Sequence, residues 1–373
     1  MILLTSILLI TIYCITISGL CYGFNKIKTY QKSDLKPQTK FSIVVPFRDE
    51  AQNLPLLLDS FSQLNYPSHL FEVLLVDDAS KEAFRPECYR FGIQIIQNHR
   101  QTNSPKKDAI QTAITTLNTQ WMVTTDADCV APKNWLLTLD NYIQTHKVAM
   151  LAAAVNYDGT NSFLHQFQQL DLSSLQGATI GSFGLGQGFM CNGANFAYTK
   201  AFFEELNGFH GNATISSGDD VFLLQKAMAH APEKVHYLKS KNCIITTKPL
   251  NNWKSLFYQR VRWASKTSAY QSLFGKLLAV VVFGGNVSWI LLVVHVVIEA
   301  NQRLTAVIFI LLKMSVDILL LLQTNAFLNT KKRSYLLAAN LFYPFFSTSV
   351  AIYSLFGKYE WKGRYFTRCY FFL

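Results

Sequence analysis

Asp126 and Asp128 follow a short apolar run and are separated by one residue. In an extended stretch alternate side chains point to the same side, so both carboxylates would face one ligand. Paired carboxylate oxygens suit a hard divalent cation, which also accepts phosphate oxygens. A metal held there could bridge a diphosphate and stabilise it as a leaving group. Taken alone, Asp-X-Asp is also what a capping aspartate beside a solvated aspartate produces.

The elements around these residues alternate between apolar runs and helical periodicity. The pattern predicts strands at 41–46, 71–76, 93–97 and 121–125, and helices at 54–64 and 106–117. Such alternation implies an α/β fold with a Rossmann-like, mostly parallel sheet and right-handed crossovers. Ligands of these sheets bind beyond the carboxyl ends of the strands, which is where Asp77-Asp78 and Asp126-Ala127-Asp128 stand.

Composition sets the class of protein. Of the 373 residues, 50% are hydrophobic and 15% are charged, which excludes a disordered chain and disfavours an ordinary soluble domain. The net charge of +11 flanks apolar segments: residues 26–40 carry five lysines against one aspartate, and residues 331–373 carry seven basic residues against one glutamate. That placement favours anionic lipid headgroups and excludes a nucleic-acid footprint.

Four apolar stretches predict membrane helices: 1–25, 274–298, 304–328 and 335–356. The first precedes basic residues, so it is expected to be an uncleaved anchor with residue 26 onward in the cytoplasm. The last either spans the membrane or breaks at Asn340 and Pro344 into a re-entrant hairpin; the break is favoured because it keeps the basic tail cytoplasmic. Lys313 and Asp317 have i,i+4 spacing and are expected to neutralise each other.

Several motifs join the Asp-X-Asp pair in a fixed order. They are Pro46–Glu50, Asp77–Ser80, Ser217–Asp220 and Gln259–Trp263. The order and approximate spacing over 41–270, with the C-terminal apolar segments, resemble membrane-bound family 2 glycosyltransferases with a GT-A fold. The subgroup concerned includes cellulose, chitin and hyaluronan synthases. The resemblance implies a GT-A domain plus transmembrane α-helices.

The resemblance implies a donor site for a nucleotide sugar. Glu50, with the backbone around Pro46, corresponds to the motif that contacts the nucleoside. Asp77 and Asp78 correspond to the acidic pair that holds base and ribose. Lys106 lies in a Pro-Lys-X-X-Ala-Ile segment that resembles a Gly-Lys-X-X-Ala-Leu motif near the nucleotide, with proline in place of the usual glycine.

The resemblance also implies the reacting groups. Asp126 and Asp128 correspond to the metal and diphosphate motif, with Asp128 as the direct ligand of Mg²⁺ or Mn²⁺. Asp220 corresponds to the catalytic base, and Asp219 stands where the family usually has glutamate. An inverting transfer needs a base to take the proton of the acceptor hydroxyl. Two adjacent carboxylates can raise each other's proton affinity.

The acceptor side is implied by two more segments. Gln259, Arg262 and Trp263 correspond to the Gln-X-X-Arg-Trp motif, in which arginine meets the diphosphate and tryptophan stacks on the acceptor. The same segment is also what an interfacial amphipathic helix would contain. Asn192 lies in a Gly-X-Asn-like stretch that lines the sugar pocket. The preceding glycines, at 181–188, are expected to precede a loop near the acceptor or to form a flexible surface loop.

Together these features predict an inverting, metal-dependent glycosyltransferase at the cytoplasmic face of an inner or plasma membrane. The donor expected by family frequency is a UDP-sugar. The favoured acceptor is a membrane lipid or lipid-linked glycan; the alternative is a processive polysaccharide synthase, which would need a homo-oligomer or an export partner. A non-catalytic membrane scaffold is the remote alternative. The predicted division is anchor 1–25, basic linker 26–40, GT-A domain 41–248, interfacial helices 249–273, transmembrane or re-entrant helices 274–357, and basic tail 358–373.

Overall fold

A computed structural model of the chain describes residues 1–31, 33–159, 162–212, 215, 217–328, 334–356, 359–361 and 364–366. The predicted basic cluster Lys331–Arg333 and most of the predicted tail at 358–373 lie outside the described residues.

The elements follow in chain order. The helices are α1 (Ile2–Lys26), α2 (Leu54–Ser62), α3 (Pro105–Thr116), α4 (Trp135–Thr145), α5 (Phe163–Gly184), α6 (Lys200–Glu205), α7 (Asp219–His230), α8 (Trp253–Ala264), α9 (Leu273–Ile298), α10 (Arg303–Leu328) and α11 (Leu336–Phe356). The strands are β1 (Phe41–Phe47), β2 (Phe71–Asp77), β3 (Gly92–Gln97), β4 (Trp121–Thr124), β5 (Cys129–Val130), β6 (Met150–Ala153), β7 (Val155–Tyr157), β8 (Phe196–Thr199), β9 (Val235–Leu238), β10 (Ile245–Thr247), β11 (Tyr359–Trp361) and β12 (Arg364–Phe366).

The chain divides into two compact units that interleave along the sequence. The sheet unit comprises Lys28–Asp158 and Gly188–Lys248; the helical unit comprises Met1–Ile27, Gly159–Gln187 and Pro249–Leu373. The GT-A domain predicted at 41–248 includes residues 159–187, whereas in the structure these residues belong to the helical unit. The predicted functional division stays a prediction.

A seven-stranded sheet in the order β3-β2-β1-β4-β8-β6-β9 organises the sheet unit. β3, β2, β1 and β4 are parallel neighbours, whereas β8 is antiparallel to both β4 and β6. β1 is buried along almost its whole length, as expected for a central strand covered on both faces. β1 pairs with β2 on one side and β4 on the other, so the strand order reverses here, as at the ligand crevice of open α/β sheets.

Aromatic residues fill the core beneath this sheet. Trp135 on α4 is fully buried and stacks on Phe61 of α2, with 6.0 Å between ring centroids. The indole Nε1 of Trp135 donates to Asn195 Oδ1 at 3.0 Å, which satisfies its buried donor. These contacts pack α2 and α4 together and join α4 to the residue that precedes β8.

Within the part of the chain that the structure describes, the helical unit contains four helices that are long and apolar enough to cross a membrane. α11 is continuous from Leu336 to Phe356 with Pro344 inside it, so the break expected at Asn340 and Pro344 is absent. A proline in a helix interior removes one backbone hydrogen bond but does not end a membrane helix when neighbouring groups compensate. The length of α11 is sufficient for a membrane crossing, which itself stays a prediction.

α1 and α5 approach each other through glycines. A Cβ built on Gly184 would lie 1.8 Å from the carbonyl oxygen of Gly23, and one built on Gly181 would lie 2.4 Å from the oxygen of Leu20. Only glycine allows backbones to approach this closely. The glycine-rich segment at 181–188, expected either to precede a loop near the acceptor or to be a flexible surface loop, begins inside a helix, because Gly181 and Gly184 belong to the last turn of α5.

A polar cluster ties α1, α9 and α10 together within the helical unit. Lys313, which is fully buried, donates to Asn286 Oδ1 at 2.8 Å and pairs with Asp317 Oδ2 at 2.7 Å. The hydroxyl of Tyr13 donates to Asp317 Oδ1 at 2.5 Å. The predicted i,i+4 pair of Lys313 and Asp317 is confirmed.

Candidate active site

The carboxyl ends of β1, β2 and β4 meet at one edge of the sheet. Phe47 is paired with Asp77, and the amide of Asp78 donates to the carbonyl of Phe47 at 2.9 Å. The amide of Thr125 donates to the carbonyl of Val44 at 3.2 Å, which aligns β4 with β1. The loops after these strands therefore bring together the acidic residues that the sequence had placed at strand ends.

Asp77 is fixed by its own loop. Its Oδ1 accepts from the amide of Ser80 at 2.9 Å and from the Ser80 hydroxyl at 2.6 Å. The carboxylate is buried, and these bonds orient it at the strand end.

Asp78 is held by basic and amide side chains. Arg100 donates from Nε and Nη2 to its two oxygens at 2.6 and 2.7 Å, and Asn98 Nδ2 donates to Oδ1 at 2.7 Å. Neither Arg100 nor Asn98 is among the site residues expected from the sequence. Their position just after β3, at the same edge, is the signal that could have found them.

The loops after β1 and β2 carry backbone strain. Asp49 and Ala79 have φ of 53° and 59°, in the left-handed region that residues with a Cβ seldom adopt. The amide of Asp49 donates to Ser80 Oγ at 3.0 Å, and the amide of Lys81 donates to Asp49 Oδ1 at 2.8 Å. Such outliers persist when the surroundings fix them, and they cluster at functional sites.

Glu50 and Pro46 flank this strained turn on the β1 side. Glu50 Oε2 accepts from Asn53 Nδ2 at 2.7 Å, just before α2. Pro46 occupies the part of β1 beyond its pairing with β4, where a missing amide hydrogen costs no ladder bond on that side. Their contact with a nucleoside stays a prediction.

Lys106 sits among the carboxylates of the Asp-X-Asp and Asp-Asp segments. Its Nζ lies 2.6 Å from Asp126 Oδ1 and 3.6 Å from Asp219 Oδ2. Burial opposes the charge of this lysine, but the carboxylates of Asp126, Asp219 and Asp220 outweigh burial and raise the pKa of Lys106 above its usual value. The ammonium therefore stays charged and draws two separate acidic segments together.

Asp220 is oriented by backbone amides. Its Oδ2 accepts from the amide of Gly193 at 2.8 Å, and its Oδ1 accepts from the amide of Val221 at 2.7 Å. Both Asp219 and Asp220 stand in the first turn of α7, where the helix dipole favours negative charge. The Asp220 carboxylate has lone pairs that these two bonds do not use. They can accept a proton from a substrate hydroxyl.

Gly193 lies where these groups converge. A Cβ on Gly193 would lie 3.2 Å from Asp219 Oδ2 and 3.3 Å from both Asp220 Cβ and Lys106 Nζ. The hydroxyl of Thr124 donates to the carbonyl of Gly193 at 2.7 Å, so β4 holds this backbone in place. Asn192, a site residue expected from the sequence, precedes Gly193, and its Oδ1 accepts from the amide of Ala194 at 3.0 Å.

Asp128 differs from Asp126 in its surroundings. Residues 127–128 form a turn, so the extended geometry assumed from the sequence ends before Asp128, and the amide of Cys129 donates to the carbonyl of Asp126 at 3.1 Å. Burial, followed by the negative charges of Asp126 and Glu50, raises the pKa of Asp128 to about 6. This carboxyl group therefore sits where additional positive charge is favourable.

The structure offers only part of a metal site. Within the described residues, no three His, Cys, Asp or Glu side chains are grouped to hold a cation. The chemistry of the donor set nevertheless fits: burial, together with the charges of Asp126 and Glu50, raises the pKa of Asp128, and a divalent cation would stabilise the ionised carboxylate there. Remaining ligands would come from phosphate and water, as is usual for Mg²⁺.

The Gln-X-X-Arg-Trp residues lie on α8 of the helical unit. Arg260, inside this motif, is buried and pairs with the buried carboxylate of Asp171 on α5. Its guanidinium also lies over the ring of Trp263, 4.2 Å from the centroid, and donates to Gln259 Oε1. Gln259 and Trp263 are thus engaged within their own helix, and the roles predicted for them and for Arg262 stay predictions.

Comparisons with known proteins agree on the fold. Residues 42–206 match the family model described as glycosyl transferase family 2, and no curated protein matches the chain in sequence. A solved mannosyltransferase, PcManGT from Pyrobaculum calidifontis in complex with GDP-Man and Mn²⁺, superposes with a TM-score of 0.55 and 15% identity over 95% of this chain and 99% of its own. TarS from S. aureus has a TM-score of 0.42 at 15% identity over 66% of this chain and 43% of TarS, so this chain spans less than half of its length.

The likeness to PcManGT concerns the fold alone at this identity. The predicted GT-A fold with a mostly parallel sheet and long apolar helices is confirmed, whereas the synthase-like subgroup stays a prediction. The chain therefore has the GT-A fold, and within it residues 42–206 are similar to glycosyl transferase family 2.

Proposed function

We propose that this protein is an inverting glycosyltransferase that moves a sugar from a nucleotide-diphosphate donor to a membrane lipid or lipid-linked acceptor at the cytoplasmic face. The observation that carries the proposal is the convergence of Asp126, Asp219 and Asp220 around Lys106 and Gly193 at the carboxyl edge of the sheet. Carboxylates from two segments, with the ammonium of Lys106 between them, suit a reaction that separates charge at a diphosphate.

Asp220 is the base in this mechanism. Its carboxylate takes the proton from the acceptor hydroxyl as that oxygen attacks the anomeric carbon, and the nucleoside diphosphate leaves from the opposite face. The amides of Gly193 and Val221 fix the orientation of the carboxylate before substrate arrives. Such preorganisation supplies rate because no reorientation is needed during reaction.

Lys106 serves the donor side. The side chain of Lys106 is partly exposed, so diphosphate oxygens can replace Asp126 as the acceptor of its ammonium when the sugar donor binds. Asp77, Asp78 and Glu50 would accept hydrogen bonds from the nucleoside. Arg262 on α8 is proposed to meet the diphosphate, with Gln259, Trp263 and Asn192 contacting the acceptor.

A divalent metal would be held by Asp128 and Asp126. Mg²⁺ or Mn²⁺ bound there supplies positive charge that stabilises the departing diphosphate. The raised pKa of Asp128 supports a site that favours added positive charge. PcManGT, which has the same fold, was solved with Mn²⁺ and GDP-Man.

A membrane setting is supported by the helical unit. Its four membrane-length helices and the lysines that follow α1 favour a multi-pass protein of an inner or plasma membrane, with the sheet unit in the cytoplasm. The four such helices among the described residues are few for a secretion channel, which favours a single transfer to a lipid over polymer export.

The test is release of nucleoside diphosphate by the full chain in lipid nanodiscs with a polyprenyl phosphate acceptor. UDP-glucose, UDP-GlcNAc and GDP-mannose are compared, with and without EDTA, and product is partitioned into organic solvent. Asp220→Asn keeps an acceptor oxygen for the Gly193 amide but removes the base, so transfer should fall on the order of 10²- to 10⁴-fold. The matched control is Asp34→Asn, an acidic residue of the linker.

Each outcome decides one element of the proposal. Label in the organic phase supports a lipid acceptor, whereas label in a precipitable polymer would establish the processive alternative and require an export partner. Unchanged turnover in EDTA would exclude a divalent metal from the proposed mechanism. No release from any donor, with Asp220→Asn identical to wild type, would defeat the enzymatic function.

A further inference from the structure

A second lysine, next to Lys106, is buried in the sheet unit. Lys107 stands in the first turn of α3 and is 1% exposed. Its Nζ donates to the carbonyl of Asn212 at 2.6 Å and to the carbonyl of Ile215 at 2.9 Å. Removing an ammonium from water is costly, so a lysine in this position indicates that its contacts give something specific in return.

The contacts of Lys107 surround the entry to α7. Asn212 and Ile215 belong to the segment that leads into Asp219 and Asp220, and the ammonium also lies 5.1 Å from the ring centroid of Phe222, in the first turn of α7. Lys107 therefore holds the backbone immediately before the proposed base and the helix turn that carries it.

Two glycines bracket this segment. Gly211 and Gly218 have φ of 84° and 85°, a conformation that costs glycine little and other residues more. Gly218 directly precedes Asp219. The two carbonyls bound by Lys107 lie between those glycines in the chain, so the lysine contacts the backbone between the two left-handed positions.

Consecutive positions on α3 reach both halves of the site. Lys106 contacts Asp126 and Asp219, whereas Lys107, about 100° further around the helix, contacts the backbone of the α7 entry. The start of α3 is itself fixed by Asp108, whose Oδ2 accepts from the amide of Thr102 at 2.9 Å. The first turn of α3 therefore contacts both Asp126, on the side of the sugar donor, and the backbone that precedes the base Asp220.

We propose that Lys107 is a positioning residue for the base: by binding the carbonyls of Asn212 and Ile215 it fixes the α7 entry, so that Asp220 meets the acceptor hydroxyl. This inference rests on the proposed function. As a positioning residue, Lys107 acts on the reaction through the backbone that it holds and not by contact with the substrate.

Lys226 provides a matched control, because its ammonium also binds backbone carbonyls that precede α7. Its Nζ, on α7, donates to the carbonyls of Gly208 at 2.7 Å and His210 at 2.6 Å, in the part of the segment further from Asp219. Lys226→Met removes the same number of charges and donor groups as Lys107→Met. A merely structural role predicts that both variants lose stability and activity together.

The experiment compares both variants in full-length protein in nanodiscs. Lys107→Met is expected to lower kcat for transfer on the order of 10²-fold while KM for the sugar nucleotide is unchanged, because displacement of a reacting group by about 1 Å has that effect. Lys226→Met is expected to keep kcat even where its melting temperature falls as far. Lys107→Arg, which retains donors, should recover part of kcat.

Hydrogen exchange supplies a readout that is independent of activity. Amides of residues 217–222 should exchange faster in Lys107→Met than in wild type or Lys226→Met. If wild-type protein transfers no sugar, the proposed function fails, and exchange alone still decides whether Lys107 holds this segment. Unchanged exchange, or a kcat loss equal in both variants, would overturn the proposal. If Lys107→Met does not fold, Lys107→Arg carries both measurements, with faster exchange and lower kcat expected.

Discussion

The sheet unit and the helical unit both contain lysine–aspartate pairs, but the pairs differ in access to solvent. In the sheet unit the side chains of Lys106 and Asp126 are 22% and 41% exposed. In the helical unit those of Lys313 and Asp317 are 0% and 13% exposed. A pair that solvent reaches can exchange partners with a ligand, whereas a pair shut inside a bundle can only hold its helices. Access therefore separates a candidate site from a structural contact made of the same residue types.

The buried pair gives the largest expected effect. Lys313→Met would leave Asp317 charged inside the bundle with Tyr13 as its remaining donor, so the free energy of unfolding should fall by about 3–5 kcal/mol. Unfolding in bicelles measures this, and the exposed Lys276→Met is the control. Adding Asp317→Asn should recover part of the loss; equal stability of Lys313→Met and wild type would erase the contrast between the units.

The glycine contact between α1 and α5 gives the next effect. Gly184→Ala places a methyl group within 1.8 Å of the Gly23 oxygen, and such overpacking should cost about 1–3 kcal/mol. Gly19→Ala, on the same α1 helix, meets nothing within 4 Å and should be neutral or stabilising. Thermal unfolding of the two variants in the same lipid checks this, and equal melting temperatures would contradict the close approach.

The exposed pair should respond in binding rather than in stability. Lys106→Met removes a charged donor for the diphosphate, worth about 1.5–3 kcal/mol, so the dissociation constant for UDP should rise on the order of ten- to a hundredfold. The melting temperature should fall less than in Lys313→Met, because Asp126, the nearest carboxylate to Lys106, is more exposed than Asp317. Calorimetric titration with UDP measures the shift, with the exposed Lys241→Met as control. A large stability loss without a binding change would make Lys106 a structural residue like Lys313.

Gly193 gives the smallest effect. In Gly193→Ala the new methyl group would press on Asp219, Asp220 and Lys106 at 3.2–3.3 Å, which these side chains can relieve by small shifts. We expect the barrier to transfer to rise by about 1 kcal/mol, roughly fivefold in kcat. Gly92→Ala on the exposed edge strand β3 is the control for kcat. Unchanged kcat in Gly193→Ala would argue that reacting groups do not meet at this glycine.

Much of the sheet unit follows from sequence because local signals agree there. The buried strands β1 and β2 each contain a run of apolar residues, at 43–47 and 73–76, and Pro105 marks the start of α3 close to the first residue of the predicted helix. The acidic residues stand directly after strands, so a parallel sheet suffices to bring them to one edge. The fold and the neighbourhood of Asp77 and Asp126 were therefore predictable.

The remaining features depend on contacts that no local pattern encodes. α5 is rich in glutamine and glycine, so its sequence does not signal that its glycines pack against α1. Lys107 resembles any solvated lysine of a helix start until the carbonyls of Asn212 and Ile215 are seen to meet it. Arg100 likewise gains meaning only from Asp78, which lies on a different loop.

The glycine contact between α1 and α5 also sets an order of events during synthesis. Gly23 emerges from the ribosome long before its partners Gly181 and Gly184. At about 5–20 residues per second, α1 waits roughly 8–30 s for α5, and longer for α10 with Lys313 and Asp317. During that delay its small-residue surface and Tyr13 face lipid or a translocon component instead of their final neighbours. α1 is made before the helices that it contacts and is among the last to complete its native contacts, so the early life of this chain depends on what shelters one helix.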